Sequence, residues 1–159
     1  AENAGLSCDN GIVVNEFGKT DHANIYACGD CTNHPNKLLN KKIRLESVHN
    51  AMEQSKTVAS SIINKSIEYN QIPWFWSDQY DHKLQIVGLS GEHDKVIMRG
   101  DMSDAKFMLL YTKDEKLIAV DAVNNSKEFL ICKKLVANKV TIKADEISNP
   151  DTNLNDLIE

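Results

Sequence analysis

The chain has 159 residues, 42% of them apolar and 26% charged, with a formal net charge of −5. Such a composition suits one ordinary folded domain, or one and a half small ones. The acidic balance gives no support for a nucleic-acid partner, and no apolar run approaches the length of a membrane span. The N-terminus lacks the basic-then-apolar pattern of a secretory leader, so a cytoplasmic protein is expected. Its start, Ala1-Glu2-Asn3-Ala4-Gly5-Leu6, has no initiator Met and reads like the middle of a protein. The cysteines, Cys8, Cys28, Cys31 and Cys132, are expected to be free thiols.

In chain order, Gly11–Val14 reads as a short strand and Ile25–Cys28 as a second one ending in a Gly-Asp turn. Asn33-His34-Pro35-Asn36 is loop chemistry, and this loop is expected to run towards Lys42. From Leu45 to about Asn64 the pattern is helical. Val48, Met52, Ser55, Ala59 and Ile62 recur at spacings of three and four, predicting one packed face at ~3.6 residues per turn. Asn70-Gln71-Ile72-Pro73 closes this region. Four strands follow, at His82–Gly88, Lys95–Arg99, Lys106–Thr112 and Leu117–Val123, with short turns that make neighbours antiparallel. Ser126 is the expected N-cap of a helix with Phe129, Leu130, Cys132 and Leu135 on its apolar side. A last short helix is expected over Leu154, Leu157 and Ile158. No internal repeat or low-complexity segment is present.

Two segments carry the chemistry: Ile25-Tyr26-Ala27-Cys28-Gly29-Asp30, and Arg44-Leu45-Glu46-Ser47-Val48 opening the helix. In a flavin enzyme an Asp so placed accepts hydrogen bonds from the hydroxyls of the sugar-alcohol chain. The preceding Gly removes a side chain where a cofactor must approach closely. The helix N-terminus offers N–H groups to the electron-rich edge of the ring. The plain alternative for Gly29-Asp30 is an ordinary turn. The Gly-x-Gly-x-x-Gly nucleotide fingerprint is missing. Cys28-Gly29-Asp30-Cys31 has the spacing of a redox pair or half a zinc site, but no second half exists and the motif overlaps a strand end, so free thiols are the favoured reading. The histidines are too scattered to argue a metal site.

The Ile25–Asp30 string resembles the second flavin-binding motif of the pyridine-nucleotide disulfide oxidoreductase superfamily. Arg44-Leu45-Glu46-Ser47-Val48-His49-Asn50-Ala51, then Glu53-Gln54, and above all Pro73-Trp74-Phe75-Trp76-Ser77-Asp78-Gln79-Tyr80, narrow the resemblance. Together they are similar to the FAD-dependent NADH–ferredoxin reductases of oxygenase and cytochrome P450 systems. The resemblance runs over nearly the whole chain and implies its domain organisation. Residues 1–72 would be the C-terminal portion of an FAD-binding domain, a remnant of a Rossmann-like fold. Residues 73–159 would be the reductase C-terminal domain, a small antiparallel sheet with helices on one face, so the fold class is α+β. The chain would be a C-terminal fragment, lacking the N-terminal FAD and NAD domains.

The same resemblance implies the site. Gly29, Asp30 and the backbone of Val48 and His49 would bind FAD, with Trp76 beside the flavin. Trp76 and Lys56 would meet a [2Fe–2S] ferredoxin; an Arg is common at the position of Lys56. NADH would be the co-substrate, and no side chain need act as a catalytic nucleophile or base. The bland alternatives are a packed Trp76 and a solvated Lys56. FAD binding by the fragment is expected to be weak or absent, because the adenosine and pyrophosphate sites lie elsewhere. The fragment itself is expected to be inactive. Unpaired edges at Ile12 and Ile25 would permit a homodimer. The competing reading is a non-catalytic docking or dimerisation module that binds no cofactor by itself.

Overall fold

The apolar pair Ile12–Val13 forms β1, which pairs in parallel with Thr32 and Asn33 of β2 (Thr32–Asn36). This computed structural model describes residues 1–158, and contacts divide them after Gln71. In the first unit β3 (Lys41–Arg44) pairs antiparallel with β2, giving the order β1-β2-β3. The segment expected to be a loop is thus the central strand. Pro35 fits there because β1 pairs only with Thr32 and Asn33, so at Pro35 one side of the strand carries no ladder. Thr32, Asn33, His34 and Asn36 of β2 are buried. Asn33 Nδ2 donates to the Asp9 carbonyl at 2.6 Å, and Asn36 Oδ1 accepts the Leu39 N–H at 3.0 Å. Ile25–Cys28 is not a strand; Tyr26 makes a single bridge to Lys19 and the chain then turns.

Helix α1 runs Val48–Ile62, capped by Ser47, whose Oγ accepts the Asn50 N–H at 3.3 Å. Its packing inverts the expected pattern. Val48, Met52, Ser55, Ala59 and Ile62 are all exposed, whereas Asn50, Gln54, Thr57, Ser60 and Ser61 are buried. The reason lies in what faces the helix. The segments against it present backbone groups and polar side chains, which need hydrogen-bonding partners when buried. Ser61 Oγ, for example, donates to the Phe17 carbonyl at 3.2 Å.

The second unit is one five-stranded antiparallel sheet in the order β4-β5-β8-β7-β6. Its strands are β4 (Trp74–Gln79), β5 (His82–Gly88), β6 (Lys95–Asp101), β7 (Lys106–Lys113) and β8 (Lys116–Val123). β4 was not expected, because its alternation is masked by aromatics on both faces. One face of the sheet buries Val87, Ile97, Met108, Leu110, Val120 and Ala122. Helix α2 (Ser126–Ala137) contributes Phe129, Cys132, Leu135 and Val136 to this core. Leu130, expected on the same side, is 62% exposed, and Asn125 rather than Ser126 holds the N-cap position. A short α3 (Ala144–Ser148) brings Ile147 inward, and Leu154 is buried from a 3-10 turn over Leu154–Leu157. The chain is α+β. Among the described residues, no helix is long and apolar enough to cross a membrane.

Candidate functional site

Gly29 and Asp30 occupy the turn that leads into β2, and this turn lies along the start of α1. Gly29 has φ 84°, the left-handed region that favours glycine. A Cβ built on it would point at Ala51 Cβ, 3.4 Å away, towards the helix. Asp30 is exposed, and its Oδ1 accepts the Ser47 N–H at 3.3 Å. The Asp30 carbonyl accepts from Arg44 Nη1 at 3.4 Å, and the same guanidinium pairs with Glu46 at 2.5 Å. An acceptor-only carboxylate therefore stands beside a helix N-terminus whose first turn holds no acidic residue. Val48, 57% exposed, and half-buried His49 are the first two residues of that helix.

The other candidate residues are placed separately. Lys56 projects from α1 and pairs with Glu53 at 2.5 Å, an exposed helical pair of the kind that contributes little to stability. Trp76 belongs to the second unit, on the edge strand β4, and is 42% exposed. Its ring centroid lies 5.0 Å from that of Trp74, tilted by 31°. Trp74 in turn packs 6.1 Å from Phe129 and carries the Lys133 ammonium 4.4 Å above its ring. Trp76 is thus the outer member of an aromatic row that starts in the core.

Residues 74–158 match the family model described as Reductase C-terminal, which is more than half of the chain. The chain belongs to the Reductase C-terminal family. Residues 1–55 also match the model for pyridine nucleotide-disulphide oxidoreductases. Among curated relatives, the ferredoxin reductase subunit of a 5,5'-dehydrodivanillate O-demethylase from Sphingobium sp. is 37% identical over 97% of the chain and 38% of its own length. Putidaredoxin reductase from Pseudomonas putida is 36% identical over 99% of the chain and 37% of its own length. The crystal structure of a covalent putidaredoxin reductase–putidaredoxin complex superposes with a TM-score of 0.91 at 36% identity, over 99% of this chain and 38% of that one. The chain therefore spans well under half the length of the relatives it matches.

Within this Reductase C-terminal family member, Cys8, Cys28, Cys31 and Cys132 are all free thiols. Cys8 and Cys31 line the same open cleft with Arg44, and Cys31 Sγ lies 3.5 Å from the Cys28 carbonyl oxygen. No group of side chains suited to a metal ion is found among the described residues. Cys132 is buried on the core side of α2, and burial pushes its thiol up to about 12.

Sequence reasoning missed the buried polar residues behind the turn. Gln54 Oε1 accepts both the Gly29 N–H, at 2.7 Å, and the Thr32 hydroxyl, at 2.8 Å. Thr32 Oγ lies 3.5 Å from His34 Nδ1, and the His34 ring meets Tyr69 edge-on at 5.0 Å. Tyr69 Oη donates to Asn50 Oδ1 at 2.8 Å, and Asn50 Nδ2 donates to the Leu45 carbonyl at 3.0 Å. Burial lowers the His34 pKa to about 4 and raises that of Tyr69. The available signal was the polar series Asn50, Gln54, Thr57 and Ser61, which recurs at helical spacing opposite the apolar stripe.

Proposed function

We propose that this chain is the flavin-contacting and C-terminal portion of an FAD-dependent NADH–ferredoxin reductase. In the complete protein, electrons pass from NADH through FAD to a [2Fe–2S] ferredoxin of an oxygenase or cytochrome P450 system. Residues 1–72 then complete an FAD-binding domain, residues 73–159 form the reductase C-terminal domain, and the protein is cytoplasmic. The observation that carries this reading is the seam in which exposed Asp30 and the first turn of α1 meet at the Asp30–Ser47 hydrogen bond, 3.3 Å long. The names of the relatives, ferredoxin reductase subunit and putidaredoxin reductase, support the same assignment.

The residues present fit a flavin. A carboxylate that only accepts suits a hydroxyl-bearing chain, and an N-terminus with no acidic first turn suits an electron-rich ring edge. When bound, FAD accepts a hydride from NADH and releases electrons singly. Asp30 would orient the cofactor by accepting from its sugar-alcohol hydroxyls. The backbone N–H groups of Val48 and His49 would favour negative charge on the ring edge held at the helix start. Gly29 supplies the left-handed turn that Asp30 needs. Trp76 offers a flat apolar surface to the flavin and the ferredoxin, and Lys56 a positive charge to the ferredoxin. Lys56 acts as a point charge and cannot form the bidentate pair of an Arg.

A second reading, an interaction module without a cofactor, is favoured by one observation. The exposed side of α1 carries Val48, Met52 and Ile62, each more than half exposed. The two readings divide on expression of the complete reading frame that encodes this chain. We expect a yellow protein that oxidises NADH and reduces cytochrome c only when a [2Fe–2S] ferredoxin is added. A colourless product without NADH oxidation would leave the interaction module standing. The 159-residue chain alone is expected to show no NADH oxidation.

A further inference from the structure

The face of α1 that carries Ser47, Ala51 and Gln54 runs along the Gly29–Asp30 turn and holds it at three successive points. These residues are spaced by four and three, so they stack on one side of the helix. The Ser47 N–H donates to Asp30 Oδ1 at 3.3 Å. Ala51 Cβ stands 3.4 Å from the place where a Gly29 Cβ would be. Gln54, 3% exposed, takes the Gly29 N–H at 2.7 Å and the Thr32 hydroxyl at 2.8 Å on one oxygen. Thr32 closes the ring, because its own N–H donates to the Gly29 carbonyl at 3.0 Å. Both peptide groups that flank Gly29 are therefore held, one by Gln54 directly and one by Thr32.

We propose that Gln54 is the positioning residue of the Gly29–Asp30 turn: its buried amide oxygen fixes the left-handed Gly29 peptide and so sets the direction in which Asp30 offers its carboxylate to the flavin. The consequence for the flavin rests on the function proposed above; the control of the turn does not. The chemistry is specific to an acceptor of this length. A Leu would leave the buried Gly29 N–H without its acceptor, which costs more than the hydrogen bond itself, while the Thr32 hydroxyl keeps the Gly29 carbonyl as an acceptor at 2.9 Å. An Asn is one methylene short of both donors. A Glu keeps an oxygen acceptor at the same reach.

The test uses the 15N-labelled chain, amide hydrogen exchange and titration with riboflavin, which has the ring and sugar-alcohol chain but no pyrophosphate. In Gln54→Leu we expect the Gly29 amide to exchange about tenfold faster or more. Amides of β5 to β8 stay unchanged, and Gln54→Glu restores the protection of Gly29. Riboflavin moves the Asp30 and Val48 amide signals in the wild type and in Q54E, and not in Q54L. If Q54L does not fold, Gln54→Asn makes the same comparison. A Gly29 amide that stays protected in Q54L overturns the proposal. So does protection lost evenly along α1 and β2 and not restored by Q54E, because that is general loosening. If riboflavin leaves the wild-type signals unmoved, the exchange of Gly29 alone decides the role of Gln54.

Discussion

Tyr69 Oη donates to Asn50 Oδ1 at 2.8 Å, which ties the segment after α1 back to the helix's first turn. Both residues are buried, Tyr69 at 6% exposure and Asn50 at 1%, and Asn50 also takes up the Leu45 carbonyl. The contact therefore braces the stretch that leads from β3 into α1. Tyr69→Phe removes only the hydroxyl and leaves the Asn50 oxygen buried without that donor. We expect a loss of about 1–2 kcal/mol in urea unfolding. In an absorbance titration the Tyr69 phenol should stay protonated beyond the ordinary tyrosine range, because burial, reinforced by Glu53, raises its pKa.

His34 makes the same region sensitive to acid. Its ring is 1% exposed, Nε2 has no partner among the described residues, and burial lowers its pKa from 6.5 to about 4. The unfolded chain then binds the proton more readily than the folded one. Stability is full above the unfolded value and falls as pH drops from about 6.5 towards 4, by roughly 3 kcal/mol in all. His34→Phe keeps a ring against Tyr69 and removes the titration. Urea midpoints compared at pH 7.5 and pH 5 should fall further for the wild type than for this variant. Equal falls would show that His34 does not titrate in this way.

The second unit depends on one arginine. Arg99 is 2% exposed and holds Glu128 through Nε at 3.1 Å and Nη2 at 2.5 Å. It also donates to the carbonyls of Ile147, Asn149, Pro150 and Thr152, which fastens α3 and the segment beyond it. Burial pushes the Glu128 carboxyl up, but hydrogen bonds from Arg99 and Asn125 outweigh it, so it lies below the usual range. Arg99→Leu leaves a carboxylate and four carbonyls without this partner. We expect a loss of about 3–5 kcal/mol. Arg99→Lys should recover only part of it, because an ammonium lacks the planar fork that reaches both sides.

The cysteines offer a simple check on burial. Cys31 is exposed, and Cys132 is buried with its thiol pushed up to about 12. At pH 8 a disulfide reagent such as DTNB should label Cys31 within minutes and reach Cys132 only on unfolding. Rapid native labelling of Cys132 would contradict the packing of α2.

How much of this was legible in the sequence differs between the two units. β5 to β8 were read within a residue or two, because each is a long alternating run between turn residues. The three-stranded sheet of the first unit was not. Thr32-Asn33-His34-Pro35-Asn36 has every local mark of a loop, and only its pairing with β1 and β3 makes it a strand. The helix over α1 was visible, but its orientation was not. An apolar stripe identifies a buried face only if the surroundings are apolar, and those of α1 are polar. The Gly29–Asp30 turn and the start of α1 at Val48 were legible. Gln54 and Thr32 were not, since their roles exist only through contacts between distant segments.

The most direct test of the proposed flavin site is quenching of riboflavin fluorescence by the 159-residue chain and by its Asp30→Ala variant. We expect weak, saturable quenching by the wild type and a loss of affinity of about tenfold in the variant, as a hydroxyl–carboxylate contact is removed. Saturable quenching of equal affinity by the variant would contradict the assignment of Asp30 to the flavin.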